Sequence, residues 1–211
     1  MNGAPPRRSG GRPTAKAAAK LETTMLDAAT AAFLAQGYAA TTIEGVARAG
    51  GVSKRTLYAR WSGKPALFRA VVERLMGRWL SVADDWVEAD DLETALNEAA
   101  SRILAVALTP EAVALHRLLI AESARFPELP LMMREAGADA GSVRIAVLLD
   151  RAVAGGVLAA QDTALAAEQF LHLVLAGPQR RALGLGRSLD DQHIQAWGQA
   201  AVALFLSGVR T

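Results

Sequence analysis

Residues 39–67 read AATTIEGVARAGGVSKRTLYARWSGKPAL, and this stretch decides how the rest of the chain is understood. It spells a short helix over about 43–49, a glycine turn at Gly50-Gly51, and a second short helix opening at Ser53. Ser53 is a good N-cap, and Val52 before it is placed to staple onto Leu57 at the N4 position. Leu57 and Trp61 stand four apart and face inward, while Lys54, Arg55 and Thr56 occupy the exposed first turn, with Tyr58 and Arg60 on its flanks. Two helices joined by a tight glycine turn, the second offering cations and hydroxyls, suit the major groove of DNA.

Each exposed residue has a distinct chemistry for that task. The guanidinium of Arg55 matches the two acceptors of guanine, and the ammonium of Lys54 reaches a base or a phosphate. Thr56 and Tyr58 are hydroxyl donors for phosphate oxygens. Thr42, at the start of the preceding helix, is placed to hold the opposite groove wall with help from that helix's positive N-terminal dipole. Thr41 followed by Glu44 fits a capping box, and Thr42 fits the cap equally well. Lys64 precedes a fourth helix, whose first turn suits Pro65, and is a further candidate for a phosphate contact.

Gly37-Tyr38, Thr41-Thr42-Ile43, Val46-Ala47, Gly51-Val52-Ser53, Thr56-Leu57-Tyr58 and Lys64 with Leu67 resemble the TetR/AcrR family of transcriptional regulators over residues 18–78. The resemblance implies DNA contacts from Thr42, Ser53, Lys54, Arg55, Thr56, Tyr58 and Lys64. Trp61 stands where the family usually has Phe. Gly45 and Gly50 replace an acidic residue and Ala at a cost of about 0.5–1 kcal/mol each in helix propensity. Pro65 replaces a common Glu. Further along, Leu118-Leu119-Ile120-Ala121-Glu122 with Arg125-Phe126-Pro127-Glu128-Leu129, Gln169-Phe170-Leu171 and Arg180-Arg181 resemble the C-terminal domain of the AefR-like subgroup. That resemblance implies a dimer interface and an effector pocket in the second half.

Charge divides the chain in the same way. Residues 1–78 hold thirteen Lys and Arg against four Asp and Glu, a balance of +9, and the remainder holds ten against seventeen, a balance of −7. All four lysines lie in the first part. One end therefore suits a polyanion and the other does not. Residues 1–14, MNGAPPRRSGGRPT, read as a flexible basic arm. Within it Arg7, Arg8 and Arg12 either enter a narrow minor groove, as the AT-hook-like Gly11-Arg12-Pro13 suggests, or add only nonspecific charge.

The expected architecture is all-α. An N-terminal helix-turn-helix domain over residues 15–78 precedes a larger dimerisation and ligand-binding bundle over residues 79–211. Met25, Ala28, Ala29, Ala32 and Phe33 keep one face of the first helix apolar, and Gly37 stops it in the C′ manner. The fourth helix runs from about Pro65 to Glu88, with Leu67, Val71, Leu75, Trp79 and Val82 along one stripe. Further helices are expected at about 91–108, 111–125, 128–154, 162–183 and 190–208. With 52% apolar residues the chain is not disordered, and without cysteine it has neither disulfides nor thiolate chemistry. No run of 18 apolar residues indicates a membrane span, so a cytoplasmic protein is expected.

Two C-terminal helices are apolar over most of their circumference and must be buried by the protomer or by a partner. Phe170, Val174, Ile194, Trp197, Ala201, Leu204 and Phe205 are accordingly candidates for a homodimer interface, and a two-fold reader would span half-sites roughly 34 Å apart or a multiple of that. Trp79, Trp86, His116, Met132, Met133 and His172 are candidates for a pocket that takes a small apolar or amphipathic effector. The three histidines lack metal-ligand spacing, the adjacent pairs Asp84-Asp85, Asp90-Asp91 and Asp190-Asp191 point to different sides of a helix, and there is no Gly-rich phosphate loop. Neither catalytic residue, metal nor cofactor is expected. A homodimeric repressor released from a palindromic operator fits best; the alternatives are a helical small-molecule binder and an effector-independent DNA-binding protein.

Overall fold

A computed structural model describes residues 15–82 and 91–209 of the chain. Arg7, Arg8, Arg12 and Trp86 lie outside the described residues. Ten helices make up the described part: α1 (Ala15–Ala40), α2 (Ile43–Ala49), α3 (Lys54–Tyr58), α4 (Lys64–Val82), α5 (Leu92–Ala107), α6 (Pro110–Glu122), α7 (Glu128–Glu135), α8 (Ala140–Ala154), α9 (Thr163–Ala182) and α10 (Asp191–Val209).

Local rules place most of their starts. Thr42, Ser53, Asp91, Thr109 and Asp162 each cap a helix by accepting a backbone N–H from three residues ahead with the side-chain oxygen. The turn between α2 and α3 is a Schellman motif. Val52 N–H donates to the Ala47 carbonyl at 2.9 Å, and Gly51, with φ +62°, donates to Arg48.

Two expectations are corrected. Residues 128–154 form two helices, α7 and α8, because Gly137 takes φ +96° and closes α7 through a bond from Ala138 N–H to Met133 O at 3.0 Å. The break at Gly37 is real, but it is not a C′ stop: with φ 83° and ψ 170° the chain is kinked, then makes one more helical turn to Ala40. Only glycine adopts that backbone region readily. The described part of α4 ends at Val82, so the expected continuation to Glu88 lies outside the described residues.

Two cores hold the helices together. The first gathers Phe33, Tyr38, Val46, Leu57, Trp61, Leu67, Phe68, Val71 and Leu75 from the N-terminal part, and it also takes in Leu115 and Leu118 of α6 and Leu129 and Met132 of α7. The second is built by α5, α8, α9 and α10 around Leu96, Leu104, Ile145, Leu149, Phe170, Val174, Val202 and Phe205. Thus α6 and α7, late in the chain, serve the core beneath the first three helices.

The second core also corrects the interface reading. Phe170 and Val174 are fully buried, and Ala201 and Phe205 are at most 7% exposed, all inside the protomer. The apolar inward faces of α9 and α10 are covered by α5 and α8 and by each other. Trp197 is half-buried in the same packing: its indole N–H donates to Leu173 O at 3.1 Å and its ring lies 5.1 Å from the Arg181 guanidinium. Ile194 is half-buried against the second core as well. Of the seven interface candidates, only Leu204 is well exposed, at 62%.

Glycine at position 177 lets that ring approach, since a Cβ there would collide with Trp197. Gly177→Ala should therefore cost about 1–3 kcal/mol through overpacking. Gly77 of α4 has open space around it, so Gly77→Ala should instead stabilise by roughly 0.5–1 kcal/mol. Chemical denaturation of the two variants checks both signs.

Candidate nucleic-acid interface and effector cavity

Helix α3 has only five residues, and its neighbours hold it in place. Leu57 is 1% and Trp61 9% exposed, as their spacing predicts, and both sit in the first core. The Ser53 hydroxyl accepts Thr56 N–H at 3.0 Å and stands 2.7 Å from the Thr56 hydroxyl. These two hydroxyls therefore form one hydrogen-bonded pair at the start of the helix. Thr42 caps α2 by accepting Gly45 N–H at 3.0 Å, which leaves its own hydroxyl hydrogen to donate. Thr41, the other candidate cap, is buried and donates to Gly37 O at 2.7 Å.

Ion pairs sort the cations. Lys54 pairs with Glu44 of α2 and lies 5.8 Å from the Tyr58 ring, and the pair lowers the Glu44 carboxyl and raises the Lys54 ammonium from their ordinary pKa values through their mutual hydrogen bond. Arg60 follows α3 and pairs with Glu22 of α1. Lys64 donates to Tyr38 O at 2.9 Å and Ala39 O at 3.1 Å and sits 4.7 Å from the Tyr38 ring. Two of its three N–H donors are thereby committed to backbone. Arg48 of α2 and Arg55 of α3 are exposed and make no ion pair with any described residue. Spacing marked Arg55 as a reader; it gave no sign that Glu44 would hold Lys54, since that contact crosses the turn.

A cavity of about 270 Å³ lies between α4, α5, α6 and the α7–α8 turn. Trp79, His116 and Met133 line it, together with Met76, Arg102 and Gln179. The two other candidates among the described residues, Met132 and His172, do not. Met132 is buried in the first core, one residue out of register with the cavity. His172 is exposed on α9, where its Nδ1 lies 2.8 Å from Glu168 O. The periodicity of α9 explains this: Phe170 and Val174 take the inward face and leave residue 172 outside. A larger groove of about 610 Å³ lies between α5 and α10, and Asn97, Glu98, Asp191 and Gln195 give its walls more polar and charged groups than the smaller cavity has. The smaller cavity has the apolar walls and few polar groups of a ligand site. Among the described residues no cluster of three metal-ligating side chains occurs.

Residues 25–71 match the model of bacterial regulatory proteins of the tetR family, and residues 94–208 match the AefR-like transcriptional repressor C-terminal domain. The chain belongs to the TetR family. Its fold is that of TetR-family regulators of known structure. One from Mesorhizobium loti is 29% identical, with a TM-score of 0.78 over 92% of this chain and 98% of that one. The flavonoid-responsive regulator FrrA is 32% identical, with a TM-score of 0.73 over 91% and 98%. A regulator from Agrobacterium tumefaciens is 28% identical, with a TM-score of 0.70 over 90% and 95%. No curated protein matches the chain in sequence. This TetR-family chain is thus a transcriptional regulator with a DNA-binding helix-turn-helix domain, the one built by α2 and α3. No single helix among the described residues is long and apolar enough to cross a membrane.

Burial lowers the pKa of His116 below its ordinary value, so the imidazole is neutral near pH 7 and offers one donor and one acceptor. The unfolded chain then binds the proton more tightly than the folded one. Stability should be complete above the ordinary histidine pKa of about 6.5 and be lost as pH falls through the folded value. His116→Asn should flatten that part of the curve of unfolding free energy against pH.

Proposed function

We propose that this TetR-family regulator is a homodimeric repressor that leaves a palindromic operator when a small effector enters the α4–α6 cavity. The observation that carries the reading is α3: Arg55 is exposed, and without an ion pair among the described residues, on the first turn of a helix anchored by Leu57 and Trp61 and capped by Ser53. Arg55 reads a guanine. Thr42, Ser53, Thr56 and Tyr58 supply hydroxyls to the backbone, and Lys54 exchanges Glu44 for DNA. Lys64 adds its remaining N–H. The arm at Arg7, Arg8 and Arg12 extends the contact along the duplex.

The dimer forms through the outer rows of α9 and α10. Leu165, Gln169 and His172 are exposed on one, and Ala196, Ala200 and Leu204 on the other. Two helices from each subunit make a four-helix contact under a two-fold axis. Helix α4 connects the sites: Lys64 at its start touches α1, and Trp79, about 22 Å further along at 1.5 Å per residue, lines the cavity. A ligand that displaces Trp79 tilts this lever and changes the separation of the two reading helices.

The effector is small and largely apolar, with aromatic character that suits Trp79 and polar groups that suit His116 and Gln179. Similarity to a flavonoid-responsive regulator supports a hydroxylated aromatic compound. A panel of flavones and flavanones tests this. A true effector raises the melting temperature and weakens operator binding in the same concentration range.

Selection of duplexes from a random pool should return an inverted repeat. Arg55→Ala should then cost about 1–3 kcal/mol at a single base step and relax selectivity there. Unchanged affinity and selectivity would remove Arg55 from the reading. Leu204→Glu should leave the protein folded but monomeric in sedimentation, with loss of operator binding.

A further inference from the structure

The break in α1 at Gly37 is gripped from two sides. From one side the Glu122 carboxylate, on the last residue of α6, accepts the Ala39 N–H at 2.8 Å. The same carboxylate occupies the space a side chain at position 37 would need. From the other side Lys64, the first residue of α4, donates to the carbonyls of Tyr38 and Ala39. The buried Tyr38 ring packs edge-on against Phe126, four residues past Glu122, at 4.9 Å. Three residues beyond Ala39 stands Thr42, the cap of the first DNA-facing helix.

Helix α6 is also a wall of the effector cavity, through Leu115, His116 and Leu119. Its start is fixed to α4 by Arg78 and Glu111 at 2.7 Å. One thirteen-residue helix thus lines the cavity and ends on a charge-assisted, directional hydrogen bond to the backbone that introduces α2.

We propose that Glu122 is a positioning residue that couples the cavity to the DNA-reading helices through the kink at Gly37–Ala39, a second route beside the α4 lever. This rests on the reading of α2–α3 as the DNA contact and of the α4–α6 cavity as the effector site. Coupling is reciprocal, so operator binding must be felt in α6 even with no effector present.

Hydrogen–deuterium exchange on the full-length protein, with and without a duplex selected from a random pool, reads this directly. In the wild type, operator should slow exchange in α2–α3 and also in α6, which touches no DNA, with a slowing of α6 in the roughly 5–150-fold range of allosteric couplings. Glu122→Ala should lose the α6 protection and keep that of α2–α3. Glu122→Asp keeps the charge but withdraws the reach, and it should behave like Ala; Glu122→Gln retains an acceptor at the same place and should preserve the coupling. A bond that only stabilises the fold would speed exchange in the Ala and Asp variants equally with and without operator, leaving the operator-dependent slowing of α6 intact. If the Ala and Asp variants keep operator-dependent protection of α6, the coupling role is overturned. Protection of α2–α3 alone in the wild type also overturns it and leaves DNA reading intact. Failure of every duplex to protect α2–α3 overturns the underlying reading itself.

Discussion

A helix of five residues has no stability of its own, because nucleating a helical turn fixes several dihedrals for one hydrogen bond. Everything the N-terminal surface does depends on the burial of Leu57 and Trp61, which replaces the missing cooperativity of length. The cap at Ser53 and the Schellman turn at Gly51 then set where the helix begins and from what angle. Arg55 is displayed at a defined orientation because the two residues that anchor it lie on the opposite face. Stability and recognition are divided by helical phase, not by segment.

That anchoring core does not belong to the N-terminal part alone. Phe33, Tyr38, Phe68 and Phe126 pack with centroid separations between 4.9 and 5.9 Å, and Phe126 comes from the far side of the chain. Leu115 and Leu118 complete the same cluster from α6. A perturbation of α6 therefore meets closely packed side chains, which respond by discrete repacking rather than by gradual deformation.

The sequence was most legible where a residue acts on its neighbours. Thr42 or Thr41, Ser53, the inward pair Leu57 and Trp61, and the all-α order of elements follow from spacing and capping. It was least legible where two surfaces compete for one apolar face. Phe170, Val174 and Phe205 look the same in sequence whether a partner subunit or α5 and α8 covers them, and only packing decides. Likewise nothing local separates Met133, in the cavity wall, from Met132, in the core. The Gly137 break was hidden because the residues on both sides are good helix formers. Glu122 was visible as part of a family-like string, but its partner, Ala39, is 83 residues away and is a backbone amide with no side-chain signature.

The ion pairs change what the basic half of the chain means in solution. Glu22, Asp27 and Glu44 neutralise Arg60, Arg74 and Lys54, while Glu111 and Glu135 from the acidic half neutralise Arg78 and Arg69. A cation that leaves a carboxylate for a phosphate loses one partner as it gains another, so its contact adds less affinity than that of a free cation. Under the proposed DNA contact, counterion release at about 0.9 ion per phosphate would count Arg55 and Lys54 alike, while only Lys54 gives up an ion pair to make its contact. Much of the positive charge in the first 78 residues is therefore already engaged within the protein, and affinity for a polyanion should fall short of what thirteen free cations would give.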